Sequence, residues 1–393
     1  MAPSHQSVFK DESKLDINYI PSRLPHREKD HRLLMEFFSS LLRYPERMAP
    51  RVIITGEVGT GKTALAQHFG SSIISEANKR ALKLRYVYVN CREYRGSLSL
   101  ILHHVITVFR PNYPARGYSA EEILKTLLQV LDEENAFIIL TLDEFDSLIE
   151  KEGSDAVYKL TRLQEMQSGK PQRISFIFIL RDLKVVDQLD ASARSTLQHN
   201  IICLERYGKE PLVDILNDRV SLAFEIAAVP EDVVSLVAEL ATSESGNARF
   251  AIELLWRAGK YADAQDADLV EPECVRRAAS SITPSVRRSE LTSFSLHEKL
   301  FLLAVARFFK NSEAAFASLA EIEQAYAVVC EEYNEQPNSH TQLWKYVQYF
   351  ASLGILKSEV AVVATRGRSM RIALPSIPAI ELEKELCSLV EKE

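Results

Sequence analysis

Eight consecutive residues, Gly56-Glu57-Val58-Gly59-Thr60-Gly61-Lys62-Thr63, have the types and spacing that hold a polyphosphate: glycine, four residues, then Gly-Lys-Thr. Backbone N–H groups of such a loop wrap the phosphates, and the glycines let the main chain come close. Lys62 is then expected to reach the β- and γ-phosphates and the Thr63 hydroxyl to ligate magnesium. Ala64 continues into a helix whose partly positive N-terminus faces the same negative charge. About eighty residues on, Leu140-Thr-Leu-Asp143-Glu144 closes an apolar run with two adjacent carboxylates. In phosphate-loop ATPases such a strand end supplies a carboxylate for the magnesium shell and one that orients the attacking water. On that pattern Asp143 takes the first role and Glu144 the second.

These groups need a scaffold, and the flanking pattern supplies one. Val52-Ile-Ile-Thr55 precedes the loop, Tyr86-Val-Tyr-Val89 alternates, and Phe137 to Leu142 is apolar throughout. Ile174 to Leu180 and Ile201 to Leu204 are two further apolar runs. Between them lie helical periodicities, such as Leu65, Phe69, Ile73 and Ala77, and a stretch opened by Ser119 as N-cap with Glu121 and Glu122 in its first turn. Strands alternating with helices predict an α/β fold with a parallel sheet. After Leu204 the strand signals stop and residues 205 to 282 read as helices. The region from 290 to 380 reads as helices followed by a hairpin turning at Thr365-Arg-Gly-Arg-Ser369. The expected division is a loose arm (1–17), an α/β ATPase domain (18–204), a helical lid (205–283), a DNA-binding region (284–380) and an acidic helix or tail (381–393).

The 393 residues, 46% hydrophobic and 26% charged, suit two or three domains with substantial cores. No apolar run approaches about 20 residues, so no membrane span is expected. The N-terminus lacks a signal-peptide core, and the five scattered cysteines lack zinc spacing, which favours a reducing cytoplasmic setting. The net charge of −7 hides an asymmetry. Residues 340–380 carry Lys345, Lys357, Arg366, Arg368 and Arg371 against Glu359 alone, a balance of +4, whereas 284–339 and 381–393 each sum to −3. A basic patch in an acidic protein is a localised footprint for a phosphate backbone.

The order YIPSRLPHRE (Tyr19 to Glu28), GEVGTGKT, LDEFD, LDASARSTL, GNAR and a terminal GRS-type wing resembles that of the archaeal origin-recognition and cell-division-cycle replication initiators. These are AAA+ ATPases with a parallel-sheet domain, an all-helical lid and a C-terminal winged helix. The resemblance spans Tyr19 to Leu374 and implies ATP or ADP with Mg2+ as ligands. It implies that Pro21, Leu24, Pro25 and Arg27 lie near the adenine, that Tyr207 helps bind the nucleotide, and that Arg249 of Gly246-Asn-Ala-Arg249 senses the γ-phosphate. Arg194 matches one of the family's arginines near the partner-facing edge, although the position more often used for a trans-acting finger corresponds to Ser192. The family usually has Asn at the end of the fourth strand, where this chain has Arg181. Arginine cannot accept a hydrogen bond from water. Arg181 therefore either contacts the γ-phosphate or pairs with Glu144, and tight binding with slow turnover is expected.

The same resemblance implies duplex DNA at a replication origin, the replicative minichromosome-maintenance helicase and paralogous initiators as partners, with no membrane. The helix from His340 to Leu353 would offer Thr341, Gln342, Lys345 and Gln348 to the major groove. Arg366, Gly367, Arg368 and Arg371 would form the wing, and Arg110, Arg116 and Gly117 a second contact within the ATPase domain. Two other readings stand beside this one: a nucleotide-controlled transcription regulator with a winged helix, and an adaptor that binds proteins and only vestigially binds ATP.

Overall fold

The computed structural model describes residues 7–114, 117–162, 170–197, 200–282, 291–312, 314–363, 367–375 and 377–391, with backbone alone for 360–363 and 367–369. The chain forms two compact units: Ile20–Tyr207, and Met1–Tyr19 together with Gly208–Glu393.

In the first unit, α1 (Glu28–Arg43) leads to β1 (Arg51–Gly56), α2 (Lys62–Lys79), β2 (Leu84–Asn90), α3 (Leu98–Thr107) and α4 (Ala120–Glu133). There follow β3 (Phe137–Asp143), α5 (Asp146–Arg162), β4 (Ile174–Leu180), two short helices α6 (Lys184–Asp187) and α7 (Ala191–Thr196), and β5 (Ile201–Leu204). The strands pair in parallel in the order β2-β3-β4-β1-β5. Successive residues of a strand face opposite sides, so the two sides build separate cores. Ile138, Leu140, Leu142, Phe176 and Phe178 pack with α3, α4 and α5, while Ile139, Ile177, Ile179, Val52 and Ile54 pack with α1 and α2. Because both faces are covered, β3 and β4 are buried throughout, whereas the edge strand β2 alternates between buried and accessible positions. Ser119 and Glu122 cap α4 reciprocally.

This topology places the carboxyl ends of β1 and β3 on either side of β4, with Thr55 of β1 in register with Leu180 and Leu142 of β3 in register with Phe178. A crevice outside the strand ends is where open α/β sheets hold ligands.

The second unit begins with the N-terminal arm, and here the structure departs from the sequence reading. From Ser7 the arm is docked, not loose. The Val8 amide bonds Asp263 Oδ1 at 2.8 Å, and the Lys10 amide bonds the Ala223 carbonyl at 2.8 Å. Phe9 packs its ring against that of Phe224, with centroids 4.7 Å apart, and Glu12 accepts from Trp256 Nε1 and Lys260 Nζ, both at 2.6 Å. The polar composition that suggested looseness serves these paired contacts instead. Four helices follow: α8 (Lys209–Ala223), α9 (Glu231–Ser243), α10 (Ala248–Asp263) and α11 (Pro272–Ile282).

The same unit continues through α12 (Leu296–Asn311), β6 (Ala317–Ser318), α13 (Leu319–Glu332), α14 (His340–Ser352), β7 (Lys357–Val363), β8 (Gly367–Ala373) and α15 (Ala379–Val390). The three strands form an antiparallel sheet in the order β6-β8-β7. Leu300, Phe301, Tyr326, Val347, Phe350 and Ile372 share one core. The terminal acidic segment, which charge alone set apart, belongs to that core through Leu382, Leu386 and Val390 of α15. Its acids have local partners, since Glu383 pairs with Lys310 at 2.6 Å and Arg307 at 3.4 Å on α12.

Lid helices and winged helix are joined by buried polar contacts. Arg276 of α11 is 1% exposed, donates to the Leu374 carbonyl at 3.0 Å and lies over the Phe309 ring. Lys357, counted above in the basic patch, is turned inward. Its ammonium bonds the Glu239 carbonyl at 2.7 Å and the Ser243 hydroxyl, so its charge serves the lid joint.

Candidate functional site

The phosphate loop is shaped by backbone that only glycine tolerates comfortably. Gly56 has φ of 149°, and a Cβ there would stand 2.5 Å from the Leu204 carbonyl; Gly61, at φ of 89°, caps α2 from the left-handed region. The loop residues Gly56 to Gly61 thus link the end of β1 to the start of α2, and Ala64 lies in that helix's first turn. Lys62 Nζ bonds the carbonyls of Gly56 at 2.6 Å and Glu57 at 2.7 Å, so its charge lies across the loop. The loop's own Thr60 hydroxyl closes onto the Glu57 carbonyl at 2.9 Å. Val58 is half exposed at the loop's tip.

The two magnesium-side groups expected from the sequence meet. Thr63 Oγ1 donates to Asp143 Oδ2 at 2.6 Å, bringing a hydroxyl of α2 against a carboxylate of β3. Two oxygen donors side by side suit a hard cation that keeps most of its water, as Mg2+ does. The other Asp143 oxygen accepts the Glu144 amide at 2.7 Å. Tyr88 of β2, unnoticed in the sequence, also donates to Oδ2 at 2.9 Å. Burial, reinforced by the Asp143 charge, holds the Tyr88 phenol well above its usual value, so it stays a donor.

Glu144 sits next along the chain in a left-handed conformation, φ 47°, unusual for a residue with a side chain. Two cations flank its carboxylate: Arg181 Nη2 at 3.6 Å from the end of β4 and Arg92 Nη1 at 3.9 Å. Arg181 is thus within ion-pair reach of Glu144. Arg92 follows the alternating strand β2, and nothing in the sequence marked it.

Arg27, placed by resemblance near the adenine, is held by several protein partners. It is 7% exposed and donates from Nε and Nη2 to the Thr60 carbonyl at 3.2 and 2.9 Å. It also bonds the Glu205 carbonyl at 2.6 Å and the Tyr207 hydroxyl at 2.9 Å, with its guanidinium 4.3 Å from the Tyr207 ring centroid. A Cβ on Gly61 would meet the Tyr207 hydroxyl at 3.0 Å. Arg27 and Tyr207 therefore brace the phosphate loop from behind. Pro21 is buried, while Leu24 and Pro25 are half-buried in the same entry segment.

The remaining arginines divide. Arg194 of α7 folds back to donate to the carbonyls of Asp187 at 3.0 Å and Leu189 at 2.9 Å, leaving Ser192 exposed on the same helix. Arg249 is exposed in the first turn of α10, which Asn247 caps by accepting from the amides of Arg249 and Phe250. Arg110 pairs with Glu133 at 3.0 Å on the rim of a hollow of about 450 Å³ that Tyr113, Thr126 and Gln129 also line. Gly117 is exposed at φ of 98°, and Arg116 lies outside the described residues.

In the winged helix, α14 turns Leu343, Tyr346, Val347 and Phe350 into the core and leaves Thr341, Lys345 and Gln348 exposed, with Gln342 half-buried. An exposed Trp344, which nothing in the sequence marked, stands among them. The hairpin is tighter than expected, with Val363 paired to Gly367, so Gly367, Arg368 and Arg371 fall within β8. Arg366 lies outside the described residues, and for Arg368 the backbone alone is described. Arg371 sits toward the base of the hairpin, opposite Glu359, with its guanidinium 3.3 Å from the centroid of the Phe316 ring. Among the described residues no helix is long and apolar enough to cross a membrane.

Comparison with known proteins agrees with this architecture. Family models match in order: an AAA domain over residues 47–189, a Cdc6 AAA+ ATPase-type lid domain over 213–280 and a CDC6 C-terminal winged helix domain over 289–382. The ORC1-type DNA replication protein 2 of Sulfolobus acidocaldarius is 32% identical over 394 residues, covering 98% of this chain and 94% of that one. The structure of Cdc6p from Pyrobaculum aerophilum superposes with a TM-score of 0.86 at 28% identity, covering 98% of this chain and 99% of the other. That of the Aeropyrum pernix ORC1 protein in complex with DNA gives 0.63 at 27% identity, covering 98% and 97%. With a parallel-sheet AAA+ domain, a lid and a winged helix in this order, the chain belongs to the family of ORC1-type DNA replication proteins.

Proposed function

We propose that this protein is a replication initiator that binds duplex origin DNA under the control of ATP and helps bring the replicative minichromosome-maintenance helicase to that DNA. The observation that carries the reading is α14, a thirteen-residue helix without a single acid, whose outward face presents Thr341, Lys345 and Gln348. A helix of that character in a winged-helix domain fits the major groove. The relative described as an ORC1 protein in complex with DNA supports the same partner.

The nucleotide half rests on the joined Thr63 and Asp143 side chains. Lys62 and the loop amides would hold the phosphates, while Thr63 and Asp143 would complete the shell of Mg2+. The metal, when bound, neutralises charge on the phosphates. Glu144 would orient water for hydrolysis, and its two arginine neighbours favour slow turnover. Arg249, exposed and cationic, is suited to reading the γ-phosphate. ATP then works as a latch whose binding energy differs between conformations, in the cytoplasm, on the nucleoid and alongside paralogous initiators.

Fluorescence anisotropy with duplexes selected by the full chain tests the proposal. Selected duplex is expected to bind at least about a hundredfold tighter than scrambled duplex, with the affinity changing between ATP and ADP and Lys62→Ala losing that dependence. Equal affinity for selected and scrambled duplex would overturn it.

A further inference from the structure

Trp344 is the largest exposed apolar side chain on α14. It is 48% accessible, close to Tyr349 at 43%, while Leu343, Tyr346, Val347 and Phe350 are buried. At about 100° per residue, Thr341, Lys345, Gln348 and Ser352 form one stripe opposite the buried Leu343, Val347 and Phe350. Trp344 flanks that stripe on one side and Tyr349 on the other. Tyr349 is partly used inside the fold, since its ring meets Phe294 edge-on with centroids 6.1 Å apart. The indole faces outward in the first half of the helix, the half that approaches base edges in helix-turn-helix docking.

Charge decides what could cover it. The helix has no acid, Lys345 lies on the stripe that the indole flanks, and Glu323, on α13, is held by His340 at 2.7 Å. An apolar ring at the edge of a stripe with one lysine and neutral hydrogen-bonding side chains matches a major groove in which thymine methyl groups interrupt the polar base edges.

We infer that Trp344 is a specificity-determining residue that packs against thymine C5-methyl groups in the major groove. The inference rests on the DNA-binding reading above and narrows it: the sites this chain prefers contain thymine under the N-terminal half of α14. Lys345 contributes phosphate attraction that is blind to sequence, and Trp344 contributes apolar contact that is blind to salt.

The test uses the full chain, a duplex selected by it from a random-sequence library, and a copy of that duplex with each thymine in turn replaced by deoxyuridine. Uracil keeps Watson–Crick pairing and lacks only the methyl. The parent protein is expected to lose about fourfold in affinity per contacted methyl. Trp344→Ala should bind the thymine duplex more weakly, show no further loss with uracil and keep the parent's salt slope. Trp344→Phe, which retains an aromatic ring, should recover part of the discrimination. Thermal unfolding of both variants checks that the half-exposed position leaves the fold intact. No uracil penalty in the parent would overturn the inference while leaving DNA binding standing, and so would a penalty of equal size in Trp344→Ala, which would turn the indole toward a protein partner. Failure to enrich any duplex would overturn the DNA-binding reading itself.

Discussion

The guanidinium of Arg181 lies 3.6 Å from the carboxylate of Glu144, so the strand between the two halves of the nucleotide site supplies a cation to the group expected to activate water. Arg92 approaches the same carboxylate at 3.9 Å. A carboxylate held by cations is a poorer acceptor for a water proton. Both arginines are largely exposed, so each pair restrains Glu144 by no more than about 1 kcal/mol, roughly a fivefold effect on rate. Arg181→Asn is therefore expected to raise steady-state ATP turnover about two- to fivefold, with Arg92→Ala adding to it and nucleotide affinity holding steady. Unchanged turnover in the Arg181→Asn protein would remove that arginine from the account.

Arg27 predicts a stability effect before a binding effect. Replacing it by alanine leaves the carbonyls of Thr60 and Glu205 without their guanidinium donor and removes the stack on Tyr207. A loss of about 2–4 kcal/mol from the ATPase unit is expected, seen in chemical denaturation, with nucleotide affinity falling because the loop loses its brace. Arg27→Lys should fare little better, since an ammonium cannot reproduce the planar fork. Full stability with weakened nucleotide binding would instead favour direct contact with the nucleotide.

Lys345 and Arg371 were grouped by the sequence as members of one basic patch, and they should now behave differently. Lys345 is exposed on α14, so Lys345→Ala should weaken binding to selected and scrambled duplexes alike and lower the salt slope by about one. Arg371 stacks on Phe316, and Arg371→Ala should leave the salt slope unchanged while lowering the stability of the winged-helix unit by about 1 kcal/mol. Equal changes in salt slope for the two variants would contradict this division.

The docked arm should respond to acid. Burial opposes the charge on Glu12, but the bonds from Lys260 and Trp256 outweigh it and hold its carboxyl below the ordinary value. A carboxylate with a depressed value contributes stability that is complete above the unfolded value and is lost as pH falls through the folded one. Trp256 fluorescence in a Trp344→Phe background should therefore change as pH drops below about 4.5, before global unfolding. In Glu12→Gln the signal should show no such step; a step of the same size there would place the titrating group elsewhere.

How much of this was legible beforehand depended on the range of the signal. The phosphate loop, Asp143 and Glu144 are local patterns at strand ends, and each strand run lay within a residue or two of its observed bounds, apart from the hairpin. What escaped were side chains whose partners lie far along the chain. Tyr88 reaches Asp143 only because β2 and β3 pair in register, and Arg92 reaches Glu144 by the same adjacency. Lys357 looked like a surface cation because a sequence cannot show that Ser243 and the Glu239 carbonyl await it. The acidic C-terminal segment reads as a helix or a tail because charge dominates its composition, although Leu382, Leu386 and Val390 already carry helical spacing and pack into the core. The N-terminal arm misled for a related reason: Val8, Phe9 and Leu15 are few, yet Val8 and Leu15 are buried and Phe9 packs against Phe224.

The central claim is that an ATP-controlled winged helix directs this chain to origins of replication. Mapping its bound sites across the genome, alongside the copy-number profile of replicating cells, tests that claim most directly. A small number of strong sites coinciding with copy-number maxima is the predicted result. Occupancy spread over promoters, with none at the maxima, would contradict it.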